Sequence, residues 1–143
     1  MRMDEAELRR RVASARVARL ATIEDDGRAH LVPICFAVEG ERLFNAVDGK
    51  PKRSRDLRRL RNLRARPWAT VLVDHYEEDW TRLWWVRLRG PAEVLEDGDA
   101  ARRALALLIA KYPQYERDPP AGPVVAMRLA EWHGWSAQDG SAP

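Results

Sequence analysis

The sequence predicts a mainly β (α+β) domain in which six antiparallel strands close into a small barrel with flanking helices. Three observations carry this. Short runs rich in Val, Ile, Leu and Phe are separated by Gly-containing turn signals, so neighbouring strands pair antiparallel. Only three stretches have helical spacing: one opens the chain and the other two fall between groups of strands. The 143 residues suffice for one core but not for two, and a barrel is the economical closure of six strands in this length. We read one domain over 1–143: an N-terminal helix (1–15), the barrel with two inserted helices (16–136) and a flexible tail (137–143).

In chain order, Asp4 and Glu7 form a capping box, and Leu8, Val12 and Ala15 share one side of the helix that follows. The stretch from Arg16 to Val47 reads as three strands, punctuated at Asp26–Gly27 and Glu39–Gly40. Pro33 removes a ladder donor, which puts the second strand at an edge or a bulge. After a basic helix, Trp68–Val73 is a continuous apolar run that should be buried on both faces. The loop at Glu77, Glu78 and Asp79 sets three acids against the basic helix. The next long strand is interrupted at Gly90–Pro91, a bulge or barrel corner. Asp97, Gly98 and Asp99 cap a helix with Leu105, Leu108, Ile109 and Tyr112 on one face, and the run from Val124 supplies one last strand.

Composition narrows the function classes. The apolar runs are too short for a membrane span and the start is charged, without the apolar core of a signal peptide, so we expect a cytoplasmic protein. A single cysteine, Cys35, fits a reducing compartment, and its neighbours Ile34 and Phe36 suggest a packed small hydrophobe. No zinc-type pattern, Walker loop, GxGxxG or Ser/His/Asp spacing is present, so no metal is expected. Six tryptophans are many for this length; Trp80, Trp84 and Trp85 cluster, which suits an interface or a stacked planar ligand as well as an aromatic core.

The most informative stretch runs from Gly49 to Pro67. Nine cations face one acid, Asp56, in a chain whose net charge is only +3, so the remainder is acidic and the segment is a focused positive field. Leu57, Leu60 and Leu63 recur at helical spacing with Ser54 as N-cap. The loop before them carries Lys50 and Lys52, two of only three lysines, at a helix start where backbone N–H groups and the dipole favour an anion. Lys50, Lys52 and Arg53 are read as phosphate ligands, and Arg61, Arg64 and Arg66 as solvated. A nucleic-acid module would use the same arginines but would need stacking or base-reading groups beside them, which the leucines are not.

ARLATIEDDGRAHLVPICF, GKPKRSRDLRRLRNLRARPWATVLVDHY and RLWWVRLRGPAEVL resemble the FMN-binding split β-barrel superfamily. Within it, the chain is most similar to the pyridoxamine 5′-phosphate oxidase-like, coenzyme F420-dependent oxidoreductases of actinobacteria. The resemblance implies a homodimer with cofactor sites at the interface and phosphate ligands at Lys50, Lys52, Arg53, Ser54, Arg58 and Arg59. It leaves open whether the KPKR or the Arg58–Arg59 cluster holds the phosphate. It also implies a ring lying against His30, Val32, Pro33, Ile34, Cys35 and Phe36, with Trp80, Trp84 and Trp85 as aromatics from the other subunit. The substrate-gripping arginine and histidine of vitamin B6 oxidases find no match in EWHGWSAQDGSAP beyond His133. A broad arginine strip suits the phosphodiester and oligoglutamate of F420 better than the monophosphate of FMN, which is the alternative cofactor. The implied activity is hydride transfer from reduced F420 to a small organic acceptor, with His30 and His75 as candidate proton donors. A non-catalytic flavin, deazaflavin or haem carrier is the rival reading. Neither nucleic acid nor membrane is expected as a partner.

Overall fold

Residues 2–47 and 57–137 are described by a computed structural model. Helix α1 (Glu5–Ser14) is capped as its sequence requires, the Asp4 carboxylate accepting from the Glu7 N–H at 2.9 Å. Its buried face, Leu8 and Val12, packs on the core. Strands β1 (Ala18–Ile23), β2 (Ala29–Ile34), β3 (Ala37–Glu39) and β4 (Arg42–Ala46) follow. Next come α2 (Arg58–Ala65), β5 (Trp68–His75), a 3₁₀ turn at Trp80–Arg82 and β6 (Trp84–Leu95). The chain continues through α3 (Asp99–Lys111), a single turn α4 (Gln114–Arg117), β7 (Val124–Arg128) and β8 (Glu131–Ser136).

All the pairings are antiparallel, in the order β2-β1-β5-β6-β7-β4-β3, with β8 also on β6. The sheet curls into a half-barrel with the helices at its flanks, which is the split barrel expected from the sequence. It has eight strands rather than six. The stretch read as three strands breaks at Cys35–Phe36 into a fourth, and the last run splits at Leu129–Ala130 into β7 and β8, which return to different halves of β6. Pro33 lies on β2, which among the described residues pairs only with β1 and so is an edge strand, a position where proline is tolerated.

The corner at Gly90–Pro91 organises the barrel. Up to Arg89, β6 pairs with β8, and from Ala92 it pairs with β7. The β7–β8 turn crosses Gly90 so closely that a Cβ there would sit 1.7 Å from the Arg128 carbonyl oxygen. Only glycine fits.

Strand β5 is not buried on both faces. Ala69, Val71 and Val73 point into the core, while Trp68 and Leu72 on the other side are 47% and 38% exposed. An antiparallel sheet without helices on its outer face keeps the period-two alternation that a continuous apolar run conceals. Leu31, Ile23 and Tyr76 are also exposed large apolar side chains on or beside this sheet. Helix α3 starts from Gly98 (φ +99°) without the side-chain cap expected from Asp97 or Asp99. It buries Ala101, Ala104 and Leu108 against β4 and β7, with Tyr112 beyond them, while Leu105 and Ile109 remain half-buried. Among the described residues, no helix is long and apolar enough to cross a membrane.

Candidate functional site: a cation cluster and an aromatic cavity

Of the basic segment, Lys50, Lys52, Arg53 and Ser54 lie outside the described residues. Helix α2 starts at Arg58, and its N-cap position falls on Leu57 rather than on Ser54. Leu60, Asn62 and Leu63 are buried, and the Asn62 amide donates to Thr22 Oγ1 at 3.0 Å, fixing α2 to β1. The outward arginines engage surface acids: Arg58 with Glu24 at 3.8 Å, Arg64 with Glu96 at 2.6 Å and Arg66 with Asp25 at 2.9 Å. Of the acidic loop, Glu77 pairs instead with Arg82 and His75. Arg59 is different. Its Nε is buried with no hydrogen-bond partner among the described residues, and burial pulls its pKa below the ordinary arginine value.

Strand β2 distributes the expected ring-binding residues over two faces. His30, Val32 and Ile34 alternate inward, with the His30 Nδ1 buried and unpartnered, while Leu31, Pro33 and Cys35 face out. Ile34 and Phe36 fill the core, so only their backbone is available to a ligand. Cys35 is exposed rather than packed, because the same alternation that buries its two neighbours turns it outward. Phe36 is held by Tyr112, whose hydroxyl accepts from the Phe36 N–H at 3.0 Å. The same oxygen lies 3.0 Å from the carbonyls of Phe36 and Arg16, to either of which it can donate.

Around that hydroxyl lies a group of cations that sequence reading missed. Lys111 Nζ sits 4.0 Å over the Phe36 ring and 5.4 Å from the Tyr112 ring, buried and without a hydrogen bond. Burial first, then the charge of Arg16, lowers its pKa to about 8, against the opposing influence of Cys35. The Arg16 guanidinium lies 4.7 Å over the Tyr112 ring and donates to the Lys111 carbonyl at 2.9 Å. Tyr112 packs obliquely on Tyr115 at 5.6 Å, and Arg59 is near enough to Tyr115 to respond to the ionisation of its phenol. Arg59 and Lys111 each have a buried nitrogen lacking a partner among the described residues. Such groups are costly unless an anion compensates them. A hint lay in Lys111 being the third lysine of an arginine-rich chain, but its burial is a tertiary fact.

The aromatic residues build a second feature on the outer face of the sheet. Leu72, Asp74, His75, Tyr76, Leu83, Trp84, Trp85, Arg87 and Trp135 line a cavity of about 380 Å³. Trp84 and Trp85 are thus brought together; Trp80 is not in the lining, but its indole donates to the Tyr76 hydroxyl at 3.3 Å. The His75 ring lies nearly parallel to Trp84, at 16° and 6.3 Å, and its Nε2 is 2.5 Å from Glu77 Oε2. That bond, together with Arg82, holds the Glu77 carboxyl below the usual range. His30 and His75, the two candidate proton donors, stand on different strands and faces, and only His75 lines the cavity. The cavity draws on β5, β6, β8 and the turn between β5 and β6. The cation cluster draws on α2, α3, α4 and the α1–β1 and β2–β3 junctions, so the two share no residue.

Comparison with known proteins places this geometry. A family model described as pyridoxamine 5′-phosphate oxidase matches residues 4–136. No protein of curated function matches. Among solved structures, a conserved hypothetical protein of Mycobacterium tuberculosis superposes with a TM-score of 0.78 at 24% identity, over 99% of this chain and 89% of that one. An FAD-binding protein of Mesorhizobium loti gives 0.71 at 20%, over 94% and 95%. The haem storage protein HutZ of Vibrio cholerae gives 0.70 at 16%, over 95% of each chain. At these identities the structural likeness establishes the fold.

Proposed function

Because the chain belongs to the pyridoxamine 5′-phosphate oxidase family, we propose that it is a cytoplasmic redox protein holding a flavin-type cofactor by its anionic tail. The observation that carries this reading is that two half-buried cations, Arg59 and Lys111, each have a buried nitrogen without a hydrogen-bond partner among the described residues. Residues with that need fit a phosphate. Arg59 and Lys111 would hold it with Lys50, Lys52, Arg53, Ser54 and Arg58, and the outward edge of β2 at Pro33 and Cys35 would carry the ring. We take the cofactor to be coenzyme F420, with FMN as the alternative, since the arginine strip exceeds what one monophosphate requires.

The bound group would supply hydride chemistry. This chain's residues bind, orient and exclude water, and His75, steadied by Glu77, is placed to deliver a proton at the cavity. The acceptor is a small organic molecule. We further propose a homodimer. The exposed Leu31 and Trp68 belong to an apolar outer face that a second copy would cover, and dimerisation would bring the open cavity that Trp84 and Trp85 line beside the cofactor of the other protomer. HutZ, of the same fold, is named for haem storage, which supports the carrier reading as second choice.

Expression in a host that makes F420, followed by absorption spectra and mass of the retained ligand, tests the reading. Retained deazaflavin supports it, FMN moves it to the alternative cofactor, and haem to the carrier.

A further inference from the structure

The outer-face cavity has a charge pattern that the redox reading leaves unused. Its walls are largely aromatic, and its volume of about 380 Å³ falls within the ordinary range of small-molecule sites. Most of the charges at its rim are spoken for. Asp74 lies 3.4 Å from Arg19, and Glu77, beside the cavity, is engaged by His75 and Arg82. Arg87 is the exception. Its guanidinium lies 5.6 Å from the centre of the Trp85 ring and pairs with no carboxylate among the described residues. Trp85 and Trp135 stand directly opposite each other across the β6–β8 ladder, so their indoles border the site with Arg87 one step along on the same face of β6.

An apolar slot walled by indoles accepts flat rings by stacking. A guanidinium lying on an indole face keeps its edge donors for an oxygen anion, in a fork that matches a carboxylate. We infer that this cavity binds a flat, conjugated carboxylic acid, its ring system against Trp85 and Trp135 and its carboxylate on Arg87. The inference deepens the redox reading and rests on it for the ligand's role, which is that of acceptor, but not for its binding. His75, already bonded to Glu77 through Nε2, sits at the same cavity and faces the ring portion of such a ligand.

The test is calorimetric titration of cofactor-free protein with three probes: 2-naphthoate, its neutral amide, and cyclohexanecarboxylate. We expect 2-naphthoate to bind about tenfold or more tightly than the amide, the range for losing a charged hydrogen bond, and cyclohexanecarboxylate to give no heat. Arg87→Met should abolish the preference for the acid while leaving amide affinity unchanged, and Trp85→Leu should weaken both. Arg87→Lys, which keeps the charge, should retain part of the preference and guards against a variant that does not fold. Equal affinity of the wild type for acid and amide, or an Arg87→Met variant that still prefers the acid, overturns the proposal. Cofactor retention is scored separately on each preparation. Its failure would sink the redox reading without touching acid binding, and the reverse result would do the opposite.

Discussion

Replacing Arg59 with methionine should move stability and ligand affinity in opposite directions. In the free protein the Arg59 Nε is buried without a partner, and nothing among the described residues neutralises its charge at hydrogen-bond range. A buried hydrogen-bonding group left unsatisfied costs about 1–3 kcal/mol, and since the side chain is only partly buried the lower end applies. Methionine has a similar helix propensity and length, so the substitution should leave α2 intact and stabilise the free protein by about 1 kcal/mol, roughly 3 °C in melting temperature for a chain of this size. The same change removes a charge-assisted bond to the cofactor's phosphate and should weaken binding by about 1.5–3 kcal/mol, some 10- to 150-fold in Kd. Urea unfolding of the free protein, together with cofactor titration, reads both quantities. A variant that is less stable and binds as tightly as the wild type would refute the reasoning, because Arg59 would then be a structural residue with a partner of its own.

Lys111 gives a pH test. Its pKa is depressed to about 8 in the folded protein, below the ordinary lysine value of 10.5, so between those values the unfolded chain holds more protons and stability rises with pH. Discounted for partial exposure, the gain is about 1 kcal/mol between pH 7.5 and 9.5, and Lys111→Met should abolish it; parallel unfolding curves of the two proteins across that range would contradict the assignment. Lys52→Ala should weaken cofactor binding by about 1–3 kcal/mol with the fold intact, whereas unchanged affinity would move the anchor wholly to Arg58 and Arg59. Gly90→Ala would place a methyl 1.7 Å from the Arg128 carbonyl. We expect a loss of more than about 3 kcal/mol, seen as a collapsed melting temperature or insoluble protein, and a wild-type melt would show the β7–β8 crossing to be looser than described.

The fold was legible wherever a local rule decides the backbone. Asp4 caps α1, the turns fall at Gly27 and Gly40, Pro33 lies on an edge, and Gly90–Pro91 is the corner. What was not legible depends on what packs against what. Trp68–Val73 reads as buried on both faces because an apolar run does not reveal that one face is left uncovered among the described residues. Cys35 looked packed because its neighbours are apolar, though strand alternation turns it outward. Lys111 and Arg16 join the cation cluster only because α3 ends beside the α1–β1 junction, 95 residues away along the chain. No local pattern encodes that meeting. Charge alone makes the basic segment a candidate anion site, but which of its described cations has a buried nitrogen without a partner required the fold.

The central claim is that half-buried cations with unpartnered nitrogens, beside a split barrel, grip the anionic tail of a redox coenzyme. Crystals grown with F420 and, separately, with FMN test it most directly. One of the two should show its phosphate within hydrogen-bonding reach of Arg59 or Lys111, with its ring beside Trp84 or Trp85 of the partner protomer. Density for neither coenzyme near those cations, in crystals that diffract well enough to show it, would contradict the claim.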